Sequence, residues 1–133
     1  MTIVFADTFY FLAILNAKDA AHRKARDFSA ASKPALLTTA WVLTELGDAL
    51  ADSRHRRAFQ QIVGFLRADP DAVVVPPSRQ LFEQGIDRYN ERADKDWSLT
   101  DCISFVVMEQ HGVTDALTGD HHFEQAGFRA LLA

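Results

Sequence analysis

The chain has 133 residues, 48% of them hydrophobic and 24% charged, which suits one folded domain, 1–133, with a single core rather than a disordered chain. Its net charge of −4, from 14 basic and 18 acidic residues, excludes a strongly basic nucleic-acid clamp but leaves nucleic acid open as a substrate. The lone cysteine, Cys102, excludes an internal disulfide framework, and no apolar run approaches the roughly 18 residues of a membrane span, so a cytoplasmic protein without a signal peptide is expected.

Ile3 to Ala6 is a short apolar run of strand formers that ends at Asp7-Thr8. A helical pattern follows through Leu15, and another runs from about Ala20 to Ala31. Ala35 to Thr38 reads as a second strand. From Thr39 the pattern is helical again, with Trp41, Leu43, Leu46, Ala49 and Leu50 as its apolar positions. A basic stretch, Arg54 to Arg57, interrupts it. Phe59, Ile62, Val63 and Leu66 then repeat at helix spacing.

Asp69-Pro70-Asp71 is a turn signal, and Ala72 to Val75 is the clearest strand in the sequence. Ser78 can cap the next helix, which carries Leu81, Phe82, Gly85, Ile86 and Tyr89. Asn90 to Asp96 reads as a loop. Ser98 opens a helix that reaches about His111-Gly112. Asp115 to Thr118 is a fourth strand, and Ala130 to Leu132 a possible fifth. Short apolar strands alternating with helices predict a parallel sheet covered on both faces.

Several chemistries lack their motifs. There is no G-x-G-x-x-G after a strand, no phosphate loop ending in G-K-[ST] and no G-x-S-x-G elbow. One cysteine with scattered histidines makes no zinc pattern. His121 and His122 are sequence neighbours, expected to point in different directions at a partly exposed helix start. Cys102 sits among apolar neighbours and reads as a small buried filler.

Four acids fall near one edge of the predicted sheet, where open parallel sheets bind ligands. Asp7 follows the first strand, and Asp120 lies just past the fourth. Asp101 is in the first turn of the helix opening at Ser98, and Glu45 lies in the helix after the second strand. Each also has a structural explanation. Asp7 and Asp120 can cap helices, Ser98 and Asp101 are spaced as a capping box, and Glu45 can be a solvated helix residue. Together they pose an electrostatic problem. Two unit charges 4 Å apart repel by about 4 kcal/mol at an effective dielectric near 20. A cation must offset that repulsion, or some of the acids must hold protons. All-oxygen ligands favour Mg²⁺ or Mn²⁺ over zinc. Such ions activate water and clamp phosphate oxygens, which points to phosphodiester hydrolysis.

At these residues the sequence resembles PIN-domain ribonucleases of the VapC type, the toxins of toxin–antitoxin pairs. The resemblance is carried by Phe5-Ala6-Asp7-Thr8, Thr44-Glu45-Leu46, Trp97 to Cys102, and Leu117-Thr118-Gly119-Asp120 with His122-Phe123 behind it. It implies a three-layer α/β/α sandwich around a central, mostly parallel sheet of about five strands. It implies that Asp7 and Asp101 ligate Mg²⁺, with Mn²⁺ as a substitute, and that Glu45 and Asp120 act directly or through water. Thr8 and Thr118 match polar positions behind those acids. The implied reaction is in-line attack of an activated water on single-stranded or loop RNA. Arg54, Arg56 and Arg57 are candidates for holding the RNA backbone. The resemblance further implies a homodimer and a small antitoxin, for which Phe9, Tyr10 and Phe11 could supply contacts or else be core. Asp96 and Asp115 read as surface or loop residues.

Three rivals remain at this level. A receiver-like signalling domain would need an acidic pair near Asp7 and a late lysine, and no lysine follows Lys95. A PIN domain acting only as a binding module, or a housekeeping RNA-processing PIN nuclease without an antitoxin, would share the acids.

Overall fold

Ile3–Ala6 is β1, and all but its first residue are buried. Ala35–Thr39 is β2, buried along its whole length. A strand with every residue buried must be covered on both faces, which is the condition for a parallel sheet. This computed structural model describes residues 2–133. Its sheet has five strands, the others being Val73–Val75 (β3), Asp115–Leu117 (β4) and Arg129–Ala130 (β5), in the order β3-β2-β1-β4-β5. All four pairings are parallel.

Among the described residues, seven helices connect and cover these strands: Thr8–Leu15 (α1), His22–Ser32 (α2), Ala40–Ala49 (α3), Arg56–Ala68 (α4), Arg79–Glu91 (α5), Leu99–Gln110 (α6) and His121–Gln125 (α7). Hydroxyls start several of them. Thr39 accepts from the Val42 amide, and Ser78 from the Leu81 amide, each at 3.1 Å. The end of α6 is set by Gly112, at φ 64°. The Gly112 amide donates to the Glu109 carbonyl and the Val113 amide to the Met108 carbonyl. This is a Schellman turn, closed by the buried pair Met108 and Val113, and it aims the chain into β4.

The predicted elements match the observed ones with shifts of a residue or two. The last strand is the largest difference. It is Arg129–Ala130 rather than Ala130 to Leu132, with Arg129 and Ala130 in register with Asp115 and Ala116, while the Leu131 and Leu132 amides beyond it still donate to the Ala116 and Thr118 carbonyls. The valine run Ala72 to Val75, the strongest strand signal, lies at a sheet edge, and Val73 is 49% exposed. β-Branching marks a strand and does not say where in the sheet it goes.

The core is aromatic beneath the carboxyl ends of β1 and β4. Phe105 stacks edge-on against both Trp97 and Phe123, with centroids 5.0 Å apart in each pair, and Phe5 lies 6.2 Å from Phe123. Such pairs contribute about 0.5–1.5 kcal/mol each beyond their burial. They tie β1, the segment before α6, α6 and α7 together. Tyr10, Phe11 and Cys102 are buried, so they belong to the core, and Phe9 is partly buried.

Candidate metal centre

The strand order reverses direction at β1, whose neighbours are β2 on one side and β4 on the other. In parallel sheets this switch point opens a crevice at the carboxyl ends of the strands. Asp7 follows β1 directly, and Thr118 follows β4 directly. The register pairs Phe5 with Ala116 and Ala6 with Leu117, so Asp7 and Thr118 face each other one step beyond. The Thr118 hydroxyl donates to Asp7 Oδ2 at 2.9 Å. Its oxygen in turn accepts from the Asp120 amide at 3.1 Å.

Asp7 occupies the cap position of α1, yet its side chain makes no capping bond. It is 7% exposed. Burial pushes its carboxyl up from 3.8 to about 7. The Thr118 hydroxyl and the Thr8 amide oppose that rise, while the negative charges of Asp101 and Glu45 add to it. Beside it the Thr8 hydroxyl is buried and has no hydrogen-bond partner among the described residues. A buried polar atom left unpaired is costly, and sites of this kind are where a ligand or ion completes the bonding.

Asp101 does two jobs. It completes a capping box with Ser98, accepting from the Ser98 amide at 3.2 Å while Ser98 Oγ accepts from the Asp101 amide at 3.0 Å. The same Oδ2 lies 3.1 Å from His122 Nδ1. Burial pushes the Asp101 carboxyl up, and the charge of Asp120 adds to that. Asp120 caps α7 by accepting from the His122 amide at 2.9 Å. Both acids therefore cap helices and also line one cleft.

One open cleft of about 370 Å³ collects Asp7, Thr8, Phe9, Glu45, Asp96, Ser98, Asp101, Asp120 and His122. All four predicted acids line it, Glu45 as an exposed residue of α3. Three further residues depart from their sequence expectation. Asp96 is exposed, as a loop residue should be, but it also forms part of the cleft wall. His121 and His122 do not diverge. Both turn Nδ1 toward Asp120 Oδ1, because the capping carboxylate sits above the first turn of α7. The Asp-His-His run was the available signal.

Arg54, Arg56 and Arg57 are not part of the cleft wall. They lie at the α3–α4 junction. Arg54 is engaged by Asp52, and Arg56 donates to the Ala51 carbonyl. Asp115, read from the sequence as a surface or loop residue, is the half-buried first residue of β4 and pairs with Arg129 of β5.

The PIN domain family model matches residues 4–129. A 23S rRNA-specific endonuclease, VapC20 of Mycobacterium tuberculosis, is 29% identical over 126 residues, covering 95% of each chain, in both strains CDC 1551 and H37Rv. The crystal structure of that VapC20, described as a sarcin-ricin loop cleaving toxin, matches with a TM-score of 0.84 at 30% identity over 96% of each chain. FitAcB from Neisseria gonorrhoeae matches with a TM-score of 0.65 at 14% identity, over 96% of this chain and 95% of that one, which is a likeness of fold alone.

Proposed function

The chain belongs to the PIN-domain family, and on that premise we propose that it is a divalent-metal-dependent endoribonuclease, the toxin of a VapC-type toxin–antitoxin pair. Its single domain, 1–133, would carry the whole activity. The observation that carries this reading is the convergence of Asp7, Glu45, Asp101 and Asp120 on one cleft, with Asp7 buried and Thr8 Oγ1 unpaired beside it.

These residues fit a hard divalent cation. The donors are carboxylate oxygens, two of the acids are driven toward their protonated forms by burial, and one buried hydroxyl lacks a partner. Asp7 and Asp101 would hold Mg²⁺ or Mn²⁺ directly, with Glu45 and Asp120 direct or through water. Such an ion supplies acidification of water and neutralisation of charge on the phosphate. The rest falls to the chain. Thr118 fixes the orientation of Asp7 and, through the Asp120 amide, the position of α7. The Ser98–Asp101 box holds Asp101 at the cleft. Glu45, exposed and lining the same cleft, would accept a proton from the attacking water. Phe9 forms an apolar border beside these acids.

The substrate is RNA, and the loop cleaved by the mycobacterial relative is the first to try. A cognate antitoxin, a homodimer and a cytoplasmic location belong to the same reading. No helix among the described residues is long and apolar enough to cross a membrane. The test is cleavage of a sarcin–ricin stem-loop and of total RNA by the tag-free chain, with Mg²⁺, with Mn²⁺ and with excess chelator. Wild type should cut only with metal, and Asp101→Asn should not cut. Full cleavage in chelator would overturn the metal reading.

A further inference from the structure

Three donor atoms meet at the start of α7. His121 Nδ1 lies 3.7 Å and His122 Nδ1 3.4 Å from Asp120 Oδ1. The ligating atoms of the three residues all lie within 4.8 Å of one another. The imidazole rings are tilted, 4.5 Å apart at their centroids. Asp101 Oδ2 is 3.1 Å from His122 Nδ1 but stands outside this group of three. The contact from His121 is too long for a hydrogen bond, so hydrogen bonding does not account for the convergence of both rings on one oxygen.

The spacing matches that around a small transition ion. Metal–ligand bonds of about 2.0–2.1 Å in a four-coordinate site give ligand–ligand edges of about 3.3–3.4 Å. The observed 3.4 and 3.7 Å lie at or a little above that value. An octahedral Mg²⁺ shell has edges of about 2.9 Å and takes oxygens. Two imidazoles and one carboxylate are instead a donor set for Zn²⁺ or a similar ion, with the fourth position left to water.

We infer that Asp120, His121 and His122 form a nitrogen-bearing site for Zn²⁺-class ions at the rim of the acid cleft. It is distinct in its donors from the carboxylate centre but shares Asp120 with it. Filling it therefore draws that carboxylate away from the centre and slows cleavage. This last step rests on the nuclease reading above; the binding itself does not.

The experiment uses the tag-free, chelator-treated chain in millimolar-scale Mg²⁺. Zn²⁺ binding is followed by calorimetry, and Co²⁺ in its place by visible absorption. Wild type should bind one equivalent and give the visible bands of a four-coordinate Co²⁺ site. His121→Ala, at an exposed position, and His122→Gln should each weaken Zn²⁺ at least tenfold and lose those bands, while Asp7→Asn should retain both. No binding by wild type, or equal binding by both histidine variants, overturns the site. With Mg²⁺ present, added Zn²⁺ should suppress cleavage by wild type and much less by His121→Ala. Zinc bound at the site without loss of cleavage overturns the competition. Absence of any cleavage with Mg²⁺ alone counts against the nuclease reading, and the zinc site is then decided by binding and spectra.

Discussion

Thr118 Oγ1 donates to Asp7 Oδ2 at 2.9 Å, joining residues 111 positions apart at the adjoining ends of β1 and β4. It is a buried hydroxyl on a buried carboxylate, and its geometry follows from the parallel register of the two strands. Replacing Thr118 with Val keeps the shape and removes the donor. It also strips the acceptor from the Asp120 amide. We expect a loss of about 1–3 kcal/mol in stability. Because the hydroxyl holds the Asp7 carboxyl down against burial, the variant's cleavage should rise at higher pH than the wild type's, and Thr118→Ser should restore the profile. A pH–rate series on the three proteins checks this; coincident profiles would remove Thr118 from the site.

Asp7 makes stability depend on pH in an unusual direction. Its carboxyl titrates near 3.8 when unfolded and near 7 when folded. Between those values the folded chain holds a proton that the unfolded chain has released. Stability in chelator therefore falls as pH rises from about 4 to about 7 and then levels off. The span is on the order of 4 kcal/mol at most. Asp52 and Asp94 are pulled down by Arg54 and Arg92, so they act in the opposite sense, below about pH 4. Asp7→Asn should flatten the fall and be the more stable protein at pH 8, while losing cleavage. Urea unfolding at pH 5 and pH 8 measures both; a wild type that gains stability over that range would contradict the assignment.

Asp101 separates capping from charge. Asn can still accept the Ser98 amide, whereas Ala cannot. In chelator, Asp101→Asn should melt above the wild type, because repulsion from Asp120 and Asp7 is relieved. Asp101→Ala should fall below Asp101→Asn by about 1 kcal/mol, the worth of the cap. Metal at a hundredfold excess over Kd should then stabilise the wild type by about 2.7 kcal/mol and both variants much less. Melting curves with chelator and with Mn²⁺ give all three comparisons, and an equal response to metal would place Asp101 outside the centre.

Gly119 sits between Thr118 and Asp120 with the Phe9 ring against it. A Cβ there would lie 2.5 Å from Phe9 Cζ and 3.0 Å from its neighbours in the ring. Gly119→Ala should cost about 1–3 kcal/mol and lower cleavage severalfold by displacing Phe9 from the cleft. Adding Phe9→Leu should recover part of the loss. A double-mutant cycle in unfolding free energy reads the coupling; strict additivity would show that the contact does not matter.

Much of this was legible in the sequence because it depends on local pattern. Strand–helix alternation predicts the parallel sheet, and Ser78, Ser98 and Thr39 mark helix starts that their hydroxyls do cap. The predicted strand ends put Asp7, Glu45, Asp101 and Asp120 within reach of one edge, and the motifs around them suggest the family. Tertiary structure alone decided the rest. Sequence spacing cannot say that β3 lies at the edge while β1 lies at the centre, since that depends on which long-range pairs form. It cannot show that Asp7 is buried and uncapped, while Asp101 and Asp120 cap helices and face the cleft as well. Nor does it turn His121 and His122 onto one carboxylate, or keep the arginines of the α3–α4 junction off the cleft wall. Burial, register and side-chain convergence arise where distant segments meet, and those meetings are fixed by the packing of the whole core.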